Sequence, residues 1–419
     1  MTILISILAT IALTVVVMNF MTGEKKIDKA ISPLYAVTDP QFLRSMGSLL
    51  GPALSDGNRV TCLSNGDEIF KAMLDAIAQA RRTISFETYI YWSGQIGSRF
   101  VEAFSERARA GVKVHVLLDW AGSSSMDTDL LEALRAAGVV VEKYHEPRWY
   151  SLSRINNRTH RKLLVVDGSV GFTGGVGIAD QWLGNAEDAE HWRDSHYRLE
   201  GPAVAQMQAA FMDNWMKAVG AVLHGEEYFP ELARMGDALA QVFKSSPGEG
   251  SESVRLMYLL SISSARRSVR IAAAYFVPDD LSLATLVDAS KRGVNIEVIL
   301  PGKTTDTELT RKASSSRWGK LLEAGVAIFE YQPTMFHCKV MIVDDVWVSV
   351  GSTNFDSRSF RLNDEANLNI FDSAFALDQV RIFEDDKARS RRVSLQDWSN
   401  RPWTEKVLEH AAGLLRSQL

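Results

Sequence analysis

The chain has 419 residues, enough for two to three ordinary domains or for one body built from two fused copies. Apolar residues at 46% and charged residues at 23% are ordinary globular usage, which excludes a disordered, collagenous or polytopic membrane chain. A net charge of -5 removes the global basic field of a non-specific nucleic-acid binder, so no nucleic-acid partner is expected. Two cysteines, Cys62 and Cys338, support neither a disulfide framework nor a zinc site.

The first element departs from this average. From Ile3 to Met21 no side chain is charged, and a run of about 20 such residues is long enough to cross a bilayer as a helix. A secretory signal would carry Lys or Arg before the run and a small-residue cleavage site after it, and neither is evident. The reading is therefore a single uncleaved anchor over 1–22, with a cleaved signal or a buried helix as the alternatives. Lys25, Lys26 and Lys29 follow the run and nothing basic precedes it, which predicts a single-pass cell-membrane protein with a cytoplasmic body. Residues 23–60, with Pro33, Pro40, Gly47, Gly51, Pro52 and Gly57, read as a linker holding at most one short helix.

Alternating strands and helices begin near Val60. TISFETYIY (83–91) reads as a buried strand, FVEAFSERARAG (100–111) as an amphipathic helix, and VKVHVLLD (112–119) as the next strand. DLLEALRAAG and VVVEKY (139–144) then repeat helix and strand, which predicts β-α-β units and a mostly parallel sheet. The order returns later as SVRIAAAYFV (268–277), SLATLVDASKRG (282–293), VNIEVIL (294–300) and LLEAGVAIFEY (321–331). The chain is thus read as a duplication, with the turn-rich stretch 236–253 as the seam between copies. The expected division is a first half over 61–245 and a second half over 246–419 that ends in a helix. The first copy is longer between Tyr144 and His160 than the second between Tyr331 and His337, through the insertion EPRWYSLSRINNR.

Each copy ends in the same chemistry. The first carries His160, Lys162 and Asp167 followed by Gly174 and Gly175; the second carries His337, Lys339 and Asp344 followed by Gly351, Ser352 and Asn354. One H-x-K-x4-D match is expected by chance about 0.02 times in a chain of this composition, and here there are two with the same glycine spacing. In a strand, residues i and i+2 face one side, so His160 projects with Lys162 and His337 with Lys339, while Arg161 and Cys338 face away. Asp167-Gly168 and Asp344-Asp345 fall where each strand should reverse, so these aspartates are read as holding a turn and the neighbouring Lys. The glycines suit close backbone approach to a phosphate.

Paired across a pseudo-twofold axis, the copies would set two histidines over one anionic group flanked by two lysines. That set suits phosphodiester cleavage: one neutral His attacks phosphorus, the other protonates the departing alkoxide, and the lysines offset the pentacoordinate charge without metal or cofactor.

With these motifs the sequence resembles the phospholipase D superfamily and, through ETYIYWSGQIG, RAGVKVHVLLDWAGS, HWRDSHYRLEGPAV, YFVPDDL, RGVNIEVILPG, HCKVMIVDD and GSTNFDSRSFRLNDEANL, its bacterial cardiolipin synthase branch, from about Val60 to the C-terminus. The resemblance implies two duplicated α-β-α halves, each with a mostly parallel or mixed sheet flanked by helices, and one chain that needs no oligomer to complete its site. It implies transfer of a phosphatidyl group through a phosphohistidine to a second phosphatidylglycerol, releasing glycerol. It also implies that an acid downstream of each motif steadies the opposite His, which pairs Glu365 with His160 and Asp194 with His337, and it gives the attack to His160. Ser352 and Asn354, with Gly174 and Gly175, are the implied phosphate contacts. Gly177 replaces the Asn usual in the first half, so backbone N–H groups are expected to substitute there.

Hydrolysis by the same site, on phospholipid or nucleic acid, and a non-catalytic membrane scaffold are the alternative functions. Arg148, Trp149, Tyr150, Arg154 and Arg158 in the insertion read either as headgroup contacts at the site mouth or as a solvated loop. Arg389, Arg391 and Arg392 read as an exposed basic run that also suits anionic lipid. Trp403, Val407, Leu408, Ala411, Leu414 and Leu415 share one helical face, which reads as core packing. His115, His145, His191, His196, His224 and His410 have no partner at motif spacing and receive no role.

Overall fold

A computed structural model describes residues 2–20, 27–31, 35–146, 156–247 and 252–414, with the side chains of 18–20 left out. Arg148, Trp149, Tyr150 and Arg154 of the insertion, Lys25 and Lys26, and Leu415 lie outside the described residues.

Thr2–Phe20 form a helix, as the uncharged run predicts. Among the described residues, however, no helix is long and apolar enough to cross a membrane. The expected transmembrane anchor is corrected accordingly, and with it the single-pass cell-membrane location and cytoplasmic body drawn from it.

The repeated β-α pattern builds one mixed sheet. From one edge run Ser390–Val393, Ala327–Tyr331, Asn295–Pro301, Ser268–Ala273, Lys339–Val343, Trp347–Gly351, Asn363–Phe371 and Ala238–Ser245. Ser55–Ser64, Ser195–Glu200, Val170–Gly174, Leu163–Val166, Thr83–Thr88, Lys113–Asp119 and Val140–Tyr144 follow to the other edge. Read inward from each edge the order is the same, apart from the extra strand Ser390–Val393. Pairing is parallel within the β-α-β units, as in Thr83–Thr88 with Lys113–Asp119, and antiparallel through the motif hairpins and the centre.

The stretch expected as a seam holds a strand. Ala238–Ser245 takes the place in the second half that Ser55–Ser64 takes in the first, and the two pair with each other at Ser55↔Ala240 and Asn58↔Ala238. Likewise the expected linker over 23–60 contains the helix Pro40–Leu50 and the start of Ser55–Ser64. The pseudo-twofold axis passes between these two strands. A single apolar layer crosses it, with Leu163, Val165 and Leu199 from one side and Ile342, Val348 and Leu368 from the other.

The same helix-ending device recurs in both copies. Gln95–Arg109, Thr128–Ala136, Asp280–Lys291 and Trp318–Glu323 each run into a glycine of left-handed φ, Gly111, Gly138, Gly293 and Gly325, which turns the chain into the next strand. Thr83–Thr88 is buried at every position, because helices cover both faces of the sheet there.

The C-terminal helix Trp403–Leu414 turns its apolar face outward, against the core-packing reading. Trp403 is 75% and Leu414 74% exposed, with Val407 and Leu408 above half. What docks this helix is a buried carboxylate: Glu409 accepts from Ser315 Oγ at 2.8 Å and from Arg401 Nε at 2.7 Å. A 3.6-residue period reveals a face but not its direction. Within the basic run, Arg391 is paired with Glu330 across neighbouring strands, while Arg392 is exposed.

Candidate active site

Each motif histidine enters on a short extended segment laid against the other half. Arg158 and Thr159 pair in parallel with Asn363 and Asp364, and His160 N–H donates to the Asp364 carbonyl at 2.9 Å. In mirror fashion Phe336 bridges to Arg193, and His337 N–H donates to the Arg193 carbonyl at 2.7 Å. Each imidazole is thereby strapped to the residue that precedes the other half's acid. Glu365 Oε1 lies 3.0 Å from His160 Nδ1, and Asp194 Oδ2 lies 2.7 Å from His337 Nδ1. Both acids are fully buried.

An ionised carboxylate only accepts hydrogen bonds, so it fixes the proton on Nδ1 and leaves the Nε2 lone pair for chemistry. The electrostatics agree. Burial opposes ionisation of Glu365, but the His160 ring and Lys162 hold its carboxyl below the usual range; for Asp194 the His337 ring and Lys339 do the same. Burial pushes His160 down to about 4, with Glu365 only partly offsetting it, and burial followed by Lys339 pushes His337 down. Two neutral imidazoles backed by two carboxylates result.

The lysines complete the set. Lys162 Nζ donates to the His160 carbonyl at 2.9 Å and Lys339 Nζ to the His337 carbonyl at 2.7 Å, so each ammonium folds back toward its own histidine. Lys339 Nζ also lies 3.2 Å from His337 Nε2. Burial, then the like charge of Lys339, pulls Lys162 down to about 7. Lys339 is lowered by burial as well. Buried cations this close together favour an anion between them.

Asp167 and Asp344 stand at the hairpin turns, with φ of 50° and 53°. They do not hold the lysines. Asp167 accepts from the N–H groups of Arg81, Arg82 and Thr83 at 2.7–2.9 Å, and Asp344 from those of Arg266, Arg267 and Ser268 at 2.7–2.9 Å. Each aspartate thus clasps the backbone entering the strand beside its motif.

Of the four implied phosphate contacts, Asn354 lines the cavity, and its Oδ1 has no hydrogen-bond partner among the described residues. Ser352 Oγ instead donates to Glu365. Gly175 leaves room for the other acid, since a Cβ there would sit 2.1 Å from Asp194 Oδ1. Gly174 passes against the neighbouring strand, where a Cβ would meet the Ser195 carbonyl at 2.6 Å. The donor that Ser352 supplies in one half comes in the other from Trp182, whose Nε1–H reaches Asp194 Oδ2 at 2.9 Å.

His160, Lys162 and His337 share the wall of one cavity of about 730 Å³. Its aromatic lining includes Tyr89, whose ring centroid is 5.3 Å from His160, and Trp182 and Trp192, at 5.3 and 5.5 Å from His337. Tyr275, Asp306, Arg158, Arg358 and Asn363 also line it. Sequence reasoning singled out only Arg158 among these. Tyr89 and Tyr275 were recoverable, because they follow equivalent strands of the two copies. Trp182 and Trp192 carry no spacing signal relative to either motif. Outside the cavity, Glu187, Asp188 and His191 bring three ligand-type atoms within 4.8 Å of one another at the surface.

Comparison with known proteins matches residues 73–215 and 258–387 to the family described as cardiolipin synthase, PLD-like domain. Cardiolipin synthase 1 of Bacillus anthracis is 34% identical over 370 residues, covering 86% of this chain and 72% of that protein. The major cardiolipin synthase of Bacillus subtilis is 33% identical over 364 residues, covering 86% and 75%. Among solved structures, phosphatidylserine synthase of Haemophilus influenzae superposes with a TM-score of 0.70 at 14% identity, covering 90% of this chain and 99% of that one. At that identity the match speaks for the fold.

Proposed function

The chain belongs to the cardiolipin synthase family of phospholipase D-like enzymes and is a phosphatidyltransferase, and from that premise we propose that it joins two phosphatidylglycerol molecules into cardiolipin and releases glycerol. The observation that carries this reading is the crossed pairing of His160 with Glu365 and His337 with Asp194 on one cavity.

The steps follow from those atoms. Nε2 of one imidazole attacks the donor phosphorus, the bond from phosphorus to the glycerol oxygen breaks, and the other imidazole, as imidazolium, gives that oxygen its proton. A bound phosphodiester anion favours the imidazolium that burial alone disfavours. The acceptor's terminal hydroxyl then returns a proton to the same imidazole while its oxygen attacks phosphorus and the bond to nitrogen breaks. Lys162 and Lys339 offset the charge on the equatorial oxygens, with Asn354 as a further contact. Glu365 and Asp194 orient the rings. Asp167 and Asp344 hold the motif hairpins, Gly175 and Ser352 place the two acids, and Gly174 lets its strand pass close to the one that follows Asp194. The resemblance assigns the attack to His160.

Labelled phosphatidylglycerol incubated with the purified full chain tests the reading. Cardiolipin and glycerol are expected. Phosphatidic acid alone would replace transfer with hydrolysis, and no turnover, with His160→Ala and His337→Ala indistinguishable from the parent, would leave a scaffold. Acid quench during turnover is expected to trap phosphate on one histidine, and the alanine variant that loses the trapped label identifies it.

A further inference from the structure

We propose that Arg158 and Arg358 form a subsite for the acceptor's own phosphate, so that the cavity selects an acceptor that is itself a glycerol phosphodiester. This rests on the transferase reading above and names what the second substrate must carry. Water, or a neutral alcohol, would need no second anion site.

The two guanidinium groups converge on one part of the cavity wall from different halves. Arg158 stands two residues before His160, and Arg358 comes from the short helix Ser357–Arg361. Arg358 Nη2 donates to the Asn156 carbonyl at 3.0 Å and Arg158 Nη1 to the Asn157 carbonyl at 2.9 Å, so both are steadied by the same turn of chain. The Trp120 ring lies 5.2 Å from the Arg158 guanidinium carbon. The neighbouring acids Asp119 and Asp356 act on this pair through their charge and are bonded to backbone as well. Asp119 accepts from the N–H groups of Ala121, Gly122 and Thr159 at 2.9–3.0 Å, and Asp356 caps its helix through Ser359 N–H at 2.7 Å. Burial, then the charge of Arg158, holds Arg358 below the usual arginine range. An anion bound between the two relieves that repulsion.

Asymmetry says which anion. The reacting phosphate belongs near the pseudo-twofold axis, between matched His and Lys pairs. If the arginines served it, the duplicated scaffold would be expected to place cations at the equivalent positions. It places Met335 two residues before His337, and Gln181, seven after Gly174 as Arg358 is seven after Gly351. Gln181 lines the cavity, but it is neutral. A cation pair present on one side only suits a ligand that lies off the axis, and the phosphate of an acceptor, one glycerol away from the reacting oxygen, is such a ligand. Asn363 supports the same geometry. It is register-paired with Arg158 and buried on the cavity wall, its Nδ2 donates to Glu365 at 3.3 Å, and its Oδ1, which has no hydrogen-bond partner among the described residues, can accept from a glycerol hydroxyl.

Two soluble acceptors that differ only by a phosphate test this: radiolabelled glycerol, whose transfer is read as label entering phosphatidylglycerol, and radiolabelled sn-glycerol 3-phosphate, read as label entering phosphatidylglycerol phosphate, with unlabelled phosphatidylglycerol micelles as donor and the full chain as enzyme. The parent should half-saturate with glycerol 3-phosphate at a concentration about tenfold or more below that for glycerol. Arg158→Gln and Arg358→Gln should each raise the glycerol 3-phosphate value about tenfold or more and shift the glycerol value less than about threefold. Retained transfer to glycerol shows that the variants fold. Should either glutamine variant misfold, Arg358→Lys, which keeps the charge but loses the fork, should give an intermediate rise for glycerol 3-phosphate alone. Inorganic phosphate should compete with glycerol 3-phosphate and not with glycerol. Equal losses for both acceptors, no preference in the parent, or inorganic phosphate inhibiting both acceptors alike would overturn the subsite. If the enzyme only hydrolyses, the transferase reading fails separately; arginine-dependent inhibition of hydrolysis by glycerol 3-phosphate would still support the anion subsite, and its absence would overturn it.

Discussion

The two half-sites present the same pairing of histidine and carboxylate to the cavity and are built differently behind it. His160 is backed by Glu365, a longer acid that receives the Ser352 hydroxyl and, at 3.3 Å, Asn363 Nδ2. His337 is backed by Asp194, a shorter acid that receives Trp182 Nε1–H at 2.9 Å and its neighbour Ser195 N–H at 2.8 Å. Farther back, Arg161 is wholly buried and donates to the carbonyls of Ala210, Ser245 and Glu365 and to Asp213. At the matching position Cys338 stands near Arg193, whose guanidinium forms two 2.9 Å bonds to Asp386. Chemistry constrains the position of a ring and the charge behind it, while the means of holding them is left to local packing.

Removing the rings tests the equivalence at its strongest. His160→Ala and His337→Ala should each cut cardiolipin formation by about 10⁴-fold, and the double variant should fall little further, because the two act as a unit. A double variant far below both singles would mean that the half-sites work independently. Glu365→Gln and Asp194→Asn keep shape and remove charge, and each should cost about 10²-fold or more in kcat. A loss confined to one of them would show that only one ring needs a fixed tautomer.

The pH profile separates the lysines from the rings. His160, held near 4 by burial, must stay unprotonated to act, so kcat/KM should rise as pH increases through that value. Lys162, pulled to about 7 by burial and by Lys339, loses its charge as pH rises, so kcat/KM should fall about tenfold per unit above 7. Lys162→Arg keeps its charge throughout and should make the alkaline limb shallower, leaving the fall set by the imidazolium that protonates the departing oxygen. A parent profile that stays flat to pH 9 would exclude Lys162 as the group responsible.

Much of this was legible because it is written locally. The hairpins at Asp167-Gly168 and Asp344-Asp345 follow from turn chemistry, and the two motifs follow from spacing. The central pairing of Ser55–Ser64 with Ala238–Ser245 was hidden because it joins residues far apart in the chain and because Pro and Gly around each strand read as linker. Trp182 was hidden for a related reason. Its indole replaces a serine hydroxyl at a different point of the chain, so overlaying the copies shows a gap at Gly175 and not what fills it. The outward C-terminal face and the uncharged N-terminal run show the limit of hydropathy patterns, which give a face or a length without the surroundings that use it.

The smallest effect is the most specific to the comparison, because it concerns how acid length is matched to the residue across from it. Gly175 faces the short acid Asp194, and Ser352 faces the long acid Glu365. A Cβ at 175 would lie 2.1 Å from Asp194 Oδ1, so Gly175→Ser must push the carboxylate off His337 or open the strand. Its kcat should drop about tenfold or more, since losing a charged hydrogen bond costs about 1.5–3 kcal/mol. Ser352→Gly removes a donor without a clash and should cost less. Adding Asp194→Glu to Gly175→Ser rebuilds in the first half the pairing that Ser352 and Glu365 make in the second. If length matching is the rule, the double variant recovers part of the loss; if it is worse than Gly175→Ser alone, the indole of Trp182 fixes the position of Asp194 and the two halves are not interchangeable even in part.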